Sequence, residues 1–535
     1  MRERRWVSIL GLIASTAGWA TAHGQAFSEA KSALVDYSNA TIAPAESCQA
    51  IGLYRSPQLR EIHSVHIAAS PSAPSFCRVT GTLAAEIAFE IALPDRWNGR
   101  FYMIGNGGLA GESLEDRLRV AQRDAALQNG FAFAQTNTGH DARHEPSGTF
   151  VLSNPQKAID YAYRAVNLTA VTAKAVTQRH YRMPIARSYW NSCSNGGRQG
   201  LVEAQRYPGD FDGILVNSPW VNQTGFTIGA LWNQRALDAA PLTAAKLALL
   251  ARFVMAKCDA VDGLQDGLID DPRNCRFNAR KDVPACAAGV DDDSCLTAAQ
   301  SEAIMKIYGG PVSKGKPIFP GFMPGSEAVI PARGSGPEQS GWINLIVPAS
   351  DARKAADFNL AEGVMRYLVF SPPRPQYDYR TFDFDRDVSL LASWSRKVDA
   401  TSTNLSAFRR RSGKLLMTYG WADTVLQPMA GVEYYEQALT RNGPSTPDFF
   451  RLFMVPGMGH CGGGLGTDRF DAMTALIDWV EKGRPPDVIR ASRVVGEREV
   501  RSRPLCPYPE VARYSGHGSI DEAVNFSCVR PNPLS

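Results

Sequence analysis

Six short apolar runs limit what this chain can become: RFYMIGNGG (100–108), GFAFAQTN (130–137), RSYWNSC (187–193), DGILVNSP (212–219), GKLLMTYG (413–420) and FFRLFMVPG (449–457). They read as apolar strands that end in glycine, proline or small polar residues and lead into helical segments. That rhythm predicts an α/β fold, a parallel sheet covered by helices on both faces. In an open sheet of this kind ligands gather at the carboxyl ends of the strands, where these runs carry their polar residues.

Between about 221 and 398 the rhythm gives way to cysteines, acidic loops and prolines such as SPPRP at 371–375. This reads as one insertion folding over the sheet, so that 23–220 and 399–535 form a discontinuous main domain. From about 500 the chain reads as a tail closed by a disulfide and packed on that domain. At the other end, Arg2, Arg4 and Arg5, the apolar run Trp6 to Ala20 and Ala20-Thr21-Ala22 have the three parts of a secretory signal over 1–22, which predicts a secreted or periplasmic protein. No later run reaches the roughly 18 apolar residues of a membrane span. A formal charge of +4 over 535 residues is too diluted to point to nucleic acid or an anionic membrane. The RRR at 409–411 reads as a solvated helix end.

Export makes the ten cysteines interpretable as disulfides. The sequence allows many pairings. Short loops favour Cys48 with Cys77, Cys258 with Cys275, Cys286 with Cys295 and Cys506 with Cys528, leaving Cys193 and Cys461.

Ser192-Cys193-Ser194-Asn195-Gly196 places a small residue two before and two after Ser194, as a sharp strand-to-helix turn requires. A helix-capping serine is the plain alternative. A nucleophilic serine also needs a base, and the base an acid, in the chain order Ser, Asp, His. The run GKLLMTYG leads to Asp423 and FFRLFMVPG leads to His460, so order and placement both fit. His140 is the main rival base; it precedes Ser194 and suits a pocket-shaping role better. His63, His66, His144, His180 and His517 default to surface or satisfied core positions. If Ser194 and His460 meet, Cys193 and Cys461 lie near the roughly 5.5 to 6 Å Cα separation that a disulfide needs.

This arrangement resembles the tannase and feruloyl esterase family, with Cys193-Ser194, Asp423 and His460-Cys461 matching its catalytic set and RFYMIGNGG, SCSNGGRQG, VPGMGHCGGG and LCPYPEVARY matching around them. The resemblance implies an α/β-hydrolase fold with a large inserted lid domain and a serine carboxylesterase acting through Ser194, His460 and Asp423. It also implies a disulfide between Cys193 and Cys461. The backbone N–H of Asn195 is one candidate oxyanion donor, and the loop Gly105 to Gly108, with Asn106 and Gly107, supplies candidates for the other.

CDAVDGLQDGLIDD (258–271) interleaves Asp259, Asp262, Asp266 and Asp270 with glycines, an oxygen-rich loop suited to Ca²⁺. A solvated acidic loop is the alternative. By resemblance the ligands of a structural calcium are Asp259, Asp262, Asp266 and the carbonyls of Leu264 and Leu268. The insertion also carries Phe226, Trp232, Tyr308, Phe319, Phe322, Trp342, Phe358, Tyr367 and Phe370, enough to build a lid core and line a pocket for a small aromatic ester. Hydroxycinnamate esters are the leading substrates, with galloyl esters and mono(2-hydroxyethyl) terephthalate as alternatives. Relatives that cleave the terephthalate use a lid arginine for its free carboxylate, and no clear counterpart stands around Phe358 to Tyr367. The number of subunits is not legible.

Overall fold

All six runs form strands in the computed structural model, which describes residues 26–330, 339–350 and 354–531; the predicted leader at 1–22 lies outside them. Nine strands make one sheet: β1 (Leu59–Ile67), β2 (Phe76–Leu83), β3 (Ile87–Pro94), β4 (Arg100–Met103), β5 (Ala132–Thr136), β6 (Arg187–Cys193), β7 (Gly213–Asn217), β8 (Lys414–Gly420) and β9 (Phe450–Val455), in the order β1-β2-β3-β5-β4-β6-β7-β8-β9. The strands from β5 to β9 along that order run parallel. The other edge departs from the expected parallel sheet, because β1, β2 and β3 are antiparallel to one another and β3 is antiparallel to β5. The links 68–75 and 84–86 are shorter than the dozen or so residues that a parallel crossover needs.

Six helices frame the site: α1 (Arg117–Gln128), α2 (Ala165–Tyr181), α3 (Asn195–Arg206), α4 (Gln223–Ala239), α5 (Pro428–Asn442) and α6 (Ala472–Lys482). Alternate strand residues go to opposite faces. Tyr102, Phe133, Tyr189 and Leu416 pack with α1 and α6, while Phe101, Trp190 and Met417 pack with α2, α3 and α5. The sheet is therefore apolar on both sides, and polar groups are left to its strand ends.

The chain leaves the sheet after β7 and returns before β8, and the two ends of the insertion meet where Ala400 N–H donates to the Val221 carbonyl at 2.9 Å. Leu247, Leu250, Val254, Ile304, Phe322 and Trp342 give this segment a core of its own. Phe226, Phe358, Met365 and Trp394 instead join the core under the sheet and fasten the insertion to it. The tail is pinned beside β9 by Tyr508 N–H on the Leu452 carbonyl, at 2.7 Å. Arg409 and Arg410 close an exposed helix end, as the sequence suggested. Among the described residues no single helix is long and apolar enough to cross a membrane.

The five disulfides are Cys48–Cys77, Cys193–Cys461, Cys258–Cys275, Cys286–Cys295 and Cys506–Cys528. Four close local loops; the bond between Cys193 and Cys461 joins the ends of β6 and the loop after β9.

Candidate active site

Ser194 occupies the turn from β6 into α3 at φ 61° and ψ −125°, a backbone conformation that an L-residue adopts only under constraint. Its neighbours make the turn possible: a Cβ on Gly196 would lie 1.9 Å from Ser192 Oγ, so the small residues flanking Ser194 are sterically required. The turn is held by its own main chain. Ser194 N–H donates to the Asn217 carbonyl at 3.0 Å, and the Ser194 carbonyl accepts from Arg198 N–H at 3.0 Å and Trp220 N–H at 2.9 Å. Ser194 is buried.

Asp423 follows β8 and is fully buried. Its Oδ1 accepts from the N–H groups of Val425 and Leu426, both at 2.9 Å, and its Oδ2 accepts from His460 Nδ1 at 2.9 Å. An imidazole that donates from Nδ1 has Nε2 available as a base. The loops bearing the two residues touch directly: Ala422 N–H bonds the Met458 carbonyl at 3.0 Å. A Cβ on Gly420 would lie 2.2 Å from that carbonyl, so only glycine permits the approach.

Cys193 and Cys461 are 6.0 Å apart at Cα. A ring nitrogen of His460 and the two sulfurs lie within 4.8 Å of one another, so the covalent bond ties the residue beside the candidate nucleophile to the residue beside the candidate base. The sulfurs are used by the disulfide and are not ligands for a metal.

The loop Gly105 to Gly108 lies on the first turn of α3, where a Cβ on Gly105 would meet the Gly196 Cα at 2.7 Å. Asn106 does not fit the donor role expected of it, because its N–H is spent on Gln199 Oε1 at 2.9 Å. The amides of Gly107 and Asn195 donate to no hydrogen bond among the described residues. They remain the two candidates for an oxyanion.

His140 is buried, stacks on Phe150 at 4.1 Å between ring centroids, and is driven down to about 4 by burial. It is a neutral wall residue, not a paired base. His63, His66, His144 and His517 are exposed. His180 departs from the satisfied core expectation: it is buried, neither ring nitrogen has a partner among the described residues, and burial brings it down to about 4.

In the acidic loop, Gly263 and Gly267 adopt φ of 95° and 79°. Asp259 Oδ1 accepts from Asp266 N–H (3.1 Å) and Gly267 N–H (2.9 Å), and Asp262 Oδ1 accepts from Leu264 N–H (2.8 Å). Asp266 is shared with Arg503 at 2.5 Å. Burial, with Asp266 nearby, holds Asp262 up to about 6; burial, with Asp262 and Asp266 nearby, holds Asp270 up to about 8. Hard oxygen donors with carboxylate charge in excess of their arginine partners fit a calcium ion. No three of these carboxylates bring oxygens within 4.8 Å of one another among the described residues, so peptide carbonyls would have to complete the set.

Sequence reasoning missed several buried polar residues around the site. Asp357, from the insertion, is buried with no partner for Oδ1, and burial together with the Asp423 charge raises its carboxyl well above the usual range. Tyr161, Gln223 and Trp394 meet in a buried hydrogen-bond chain. None lies in a recognisable motif.

A nucleophile elbow, an Asp–His pair and a covalent clamp at the carboxyl edge of a largely parallel sheet define an α/β-hydrolase. The comparisons narrow the class. The profile of the family described as tannase and feruloyl esterase matches residues 72–529, and the chain belongs to that family of carboxylic ester hydrolases. It is 34% identical to an uncharacterized esterase of Xanthomonas campestris pv. campestris, covering 85% of this chain and 84% of that one. It is also 34% identical to the mono(2-hydroxyethyl) terephthalate hydrolase of Piscinibacter sakaiensis, covering 87% and 86%. The crystal structure of feruloyl esterase B from Aspergillus oryzae superposes with a TM-score of 0.75 at 27% identity, covering 90% of this chain and all of that one.

Proposed function

We propose that the protein is an exported serine esterase that cleaves esters of hydroxylated aromatic acids, hydroxycinnamates first among them, through an acyl-enzyme. The observation that carries the mechanism is the His460 Nδ1 to Asp423 Oδ2 bond at 2.9 Å beside the Cys193–Cys461 bridge. Ser194 Oγ attacks the ester carbonyl while His460 Nε2 takes its proton. The same nitrogen then protonates the departing alcohol, and a water activated by His460 releases the acid. Asp423 stabilises the imidazolium formed in each half. The amides of Asn195 and Gly107 receive the negative oxygen of the tetrahedral intermediate.

The terephthalate half-ester is the second reading, supported by the relative named for that reaction. Against it stand the lid cations: Arg366 pairs with Glu362 at 2.9 Å, and Lys354 pairs with the same carboxylate. A substrate carboxylate would have to compete with Glu362. Galloyl esters are the remaining alternative.

Asp259, Asp262, Asp266 and the carbonyls of Leu264 and Leu268 would hold the calcium ion, with Asp270 beside them. The ion would neutralise the acidic loop between Cys258 and Cys275 and so fix this part of the lid. Hydrolysis of ethyl ferulate, methyl gallate and mono(2-hydroxyethyl) terephthalate, each with Ser194→Ala as control, tests the reading. Turnover of short aliphatic esters alone would overturn the aromatic assignment.

A further inference from the structure

We infer that Tyr161 is a positioning residue for the oxyanion hole and that the insertion acts on the hole through it. This rests on the esterase reading of Ser194 and goes beyond the triad. Tyr161 is fully buried, and its hydroxyl has three neighbours. It accepts from Gln223 Nε2 at 2.8 Å, and its one proton lies between the Gly108 carbonyl at 3.1 Å and Asn195 Oδ1 at 3.2 Å. Those two acceptors belong to the two halves of the hole, since Gly108 follows Gly107 in its loop and Asn195 follows Ser194.

The chain of bonds continues outward. Gln223 Oε1 accepts from Trp394 Nε1 at 2.9 Å, and the Trp394 ring lies nearly parallel to that of Tyr161, at 12° and 6.4 Å. Gln223 opens the insertion and Trp394 stands near its end, so the relay begins where both ends of the insertion return to the sheet. Arg198, also fully buried, braces the inner end: its Nε donates to Asn195 Oδ1 at 2.7 Å and its Nη1 to the Val398 carbonyl at 3.0 Å. Asn195 Oδ1 is thereby fixed from two sides.

An oxyanion hole lowers a barrier only if its dipoles are already aligned when charge develops. Gly107 and Gly108 have no side chains to hold them, and Gly108 adopts φ 43° with open space around it. Ala110 N–H holds the Gly107 carbonyl at 2.8 Å; the hydrogen bond from Tyr161 restrains the next carbonyl, that of Gly108, and the same hydroxyl ties the loop to Asn195.

Tyr161→Phe removes the oxygen and keeps the ring, which separates this role from packing. The expected result is a fall in kcat of roughly tenfold to hundredfold, below the cost of deleting a donor outright, with KM changed less than about twofold. The factor should be the same for esters that differ in acyl group or in alcohol, because the oxyanion is common to all. Trp394→Phe, which removes the indole N–H together with part of the ring volume, should lower kcat in the same direction by a smaller factor; it also carries the test if Tyr161→Phe does not fold. Unchanged kcat in both variants, a loss confined to KM, or a loss confined to one acyl group would overturn the inference. The parallel Ser194→Ala variant separates the two failures: full activity there removes the esterase reading and this inference with it, whereas an inactive Ser194→Ala beside a fully active Tyr161→Phe removes the inference alone.

Discussion

His460 Nδ1 donates to Asp423 Oδ2 at 2.9 Å, while the other oxygen of the same carboxylate is held by two peptide N–H groups. The carboxylate cannot rotate away, so the imidazole is kept in the tautomer that carries its proton on Nδ1. Asp423→Asn preserves the shape and can keep the bonds from Val425 and Leu426, but its NH2 faces Nδ1 and favours the wrong tautomer. A fall in kcat of about 10⁴ with little change in KM is expected from steady-state kinetics. A variant within tenfold of the parent enzyme would mean that His460 is oriented by something else.

The disulfide between Cys193 and Cys461 spans a sequence separation of 268 residues, and its sulfurs lie within 4.8 Å of a ring nitrogen of His460. Replacing both cysteines by alanine should cost about 2–4 kcal/mol of stability. It should also lower kcat more than it raises KM, because the loops bearing Ser194 and His460 lose their common anchor. Thermal melts and kinetics on one preparation separate the effects. Reduced stability with unchanged kcat would assign the bond to folding alone.

Much of this was legible in the sequence because it is local. The elbow at Ser194 needs small neighbours two residues away on each side, and the strands before Asp423 and His460 are near-continuous apolar runs. The antiparallel edge was not legible, since β1 (LREIHSVHI) mixes half-buried and exposed positions without regular alternation, buries none fully and carries little apolar signal. Nor was the loss of Asn106 as a donor, which depends on Gln199 reaching across from α3. Tyr161 and Asp357 lie in stretches with no catalytic motif and become notable only because distant segments bury them. Polar residues that act by tertiary contact leave no spacing to read.

Calcium in the loop of Asp259 to Asp270 predicts a stability effect separate from activity. A ligand bound only by the folded state stabilises by about 2.7 kcal/mol at a hundred times its Kd. Chelator should therefore lower the melting temperature of the purified protein by several degrees, and added Ca²⁺ should restore it while Mg²⁺ does not. Asp262→Asn keeps an acceptor for Leu264 N–H but removes a charge, so its melting temperature should be less sensitive to chelator. Elemental analysis finding no calcium in the untreated protein would refute the site.

His180 makes stability depend on acid. Its folded-state value, about 4, lies below the ordinary 6.5, because burial with no partner for either ring nitrogen disfavours the imidazolium. Between these values the unfolded chain binds a proton that the folded one refuses, so stability is intact above about 6.5 and lost progressively as pH falls toward 4. The full loss is on the order of 3 kcal/mol. His140, lowered to about the same value by burial, contributes in the same window and direction. His180→Leu removes one of these two histidines and should flatten the slope of unfolding free energy against pH by up to about 1.4 kcal/mol per pH unit there. Urea unfolding at pH 7, 6, 5 and 4 measures it. Parallel curves for the variant and the parent would show that His180 gains a partner on protonation and is no source of acid lability.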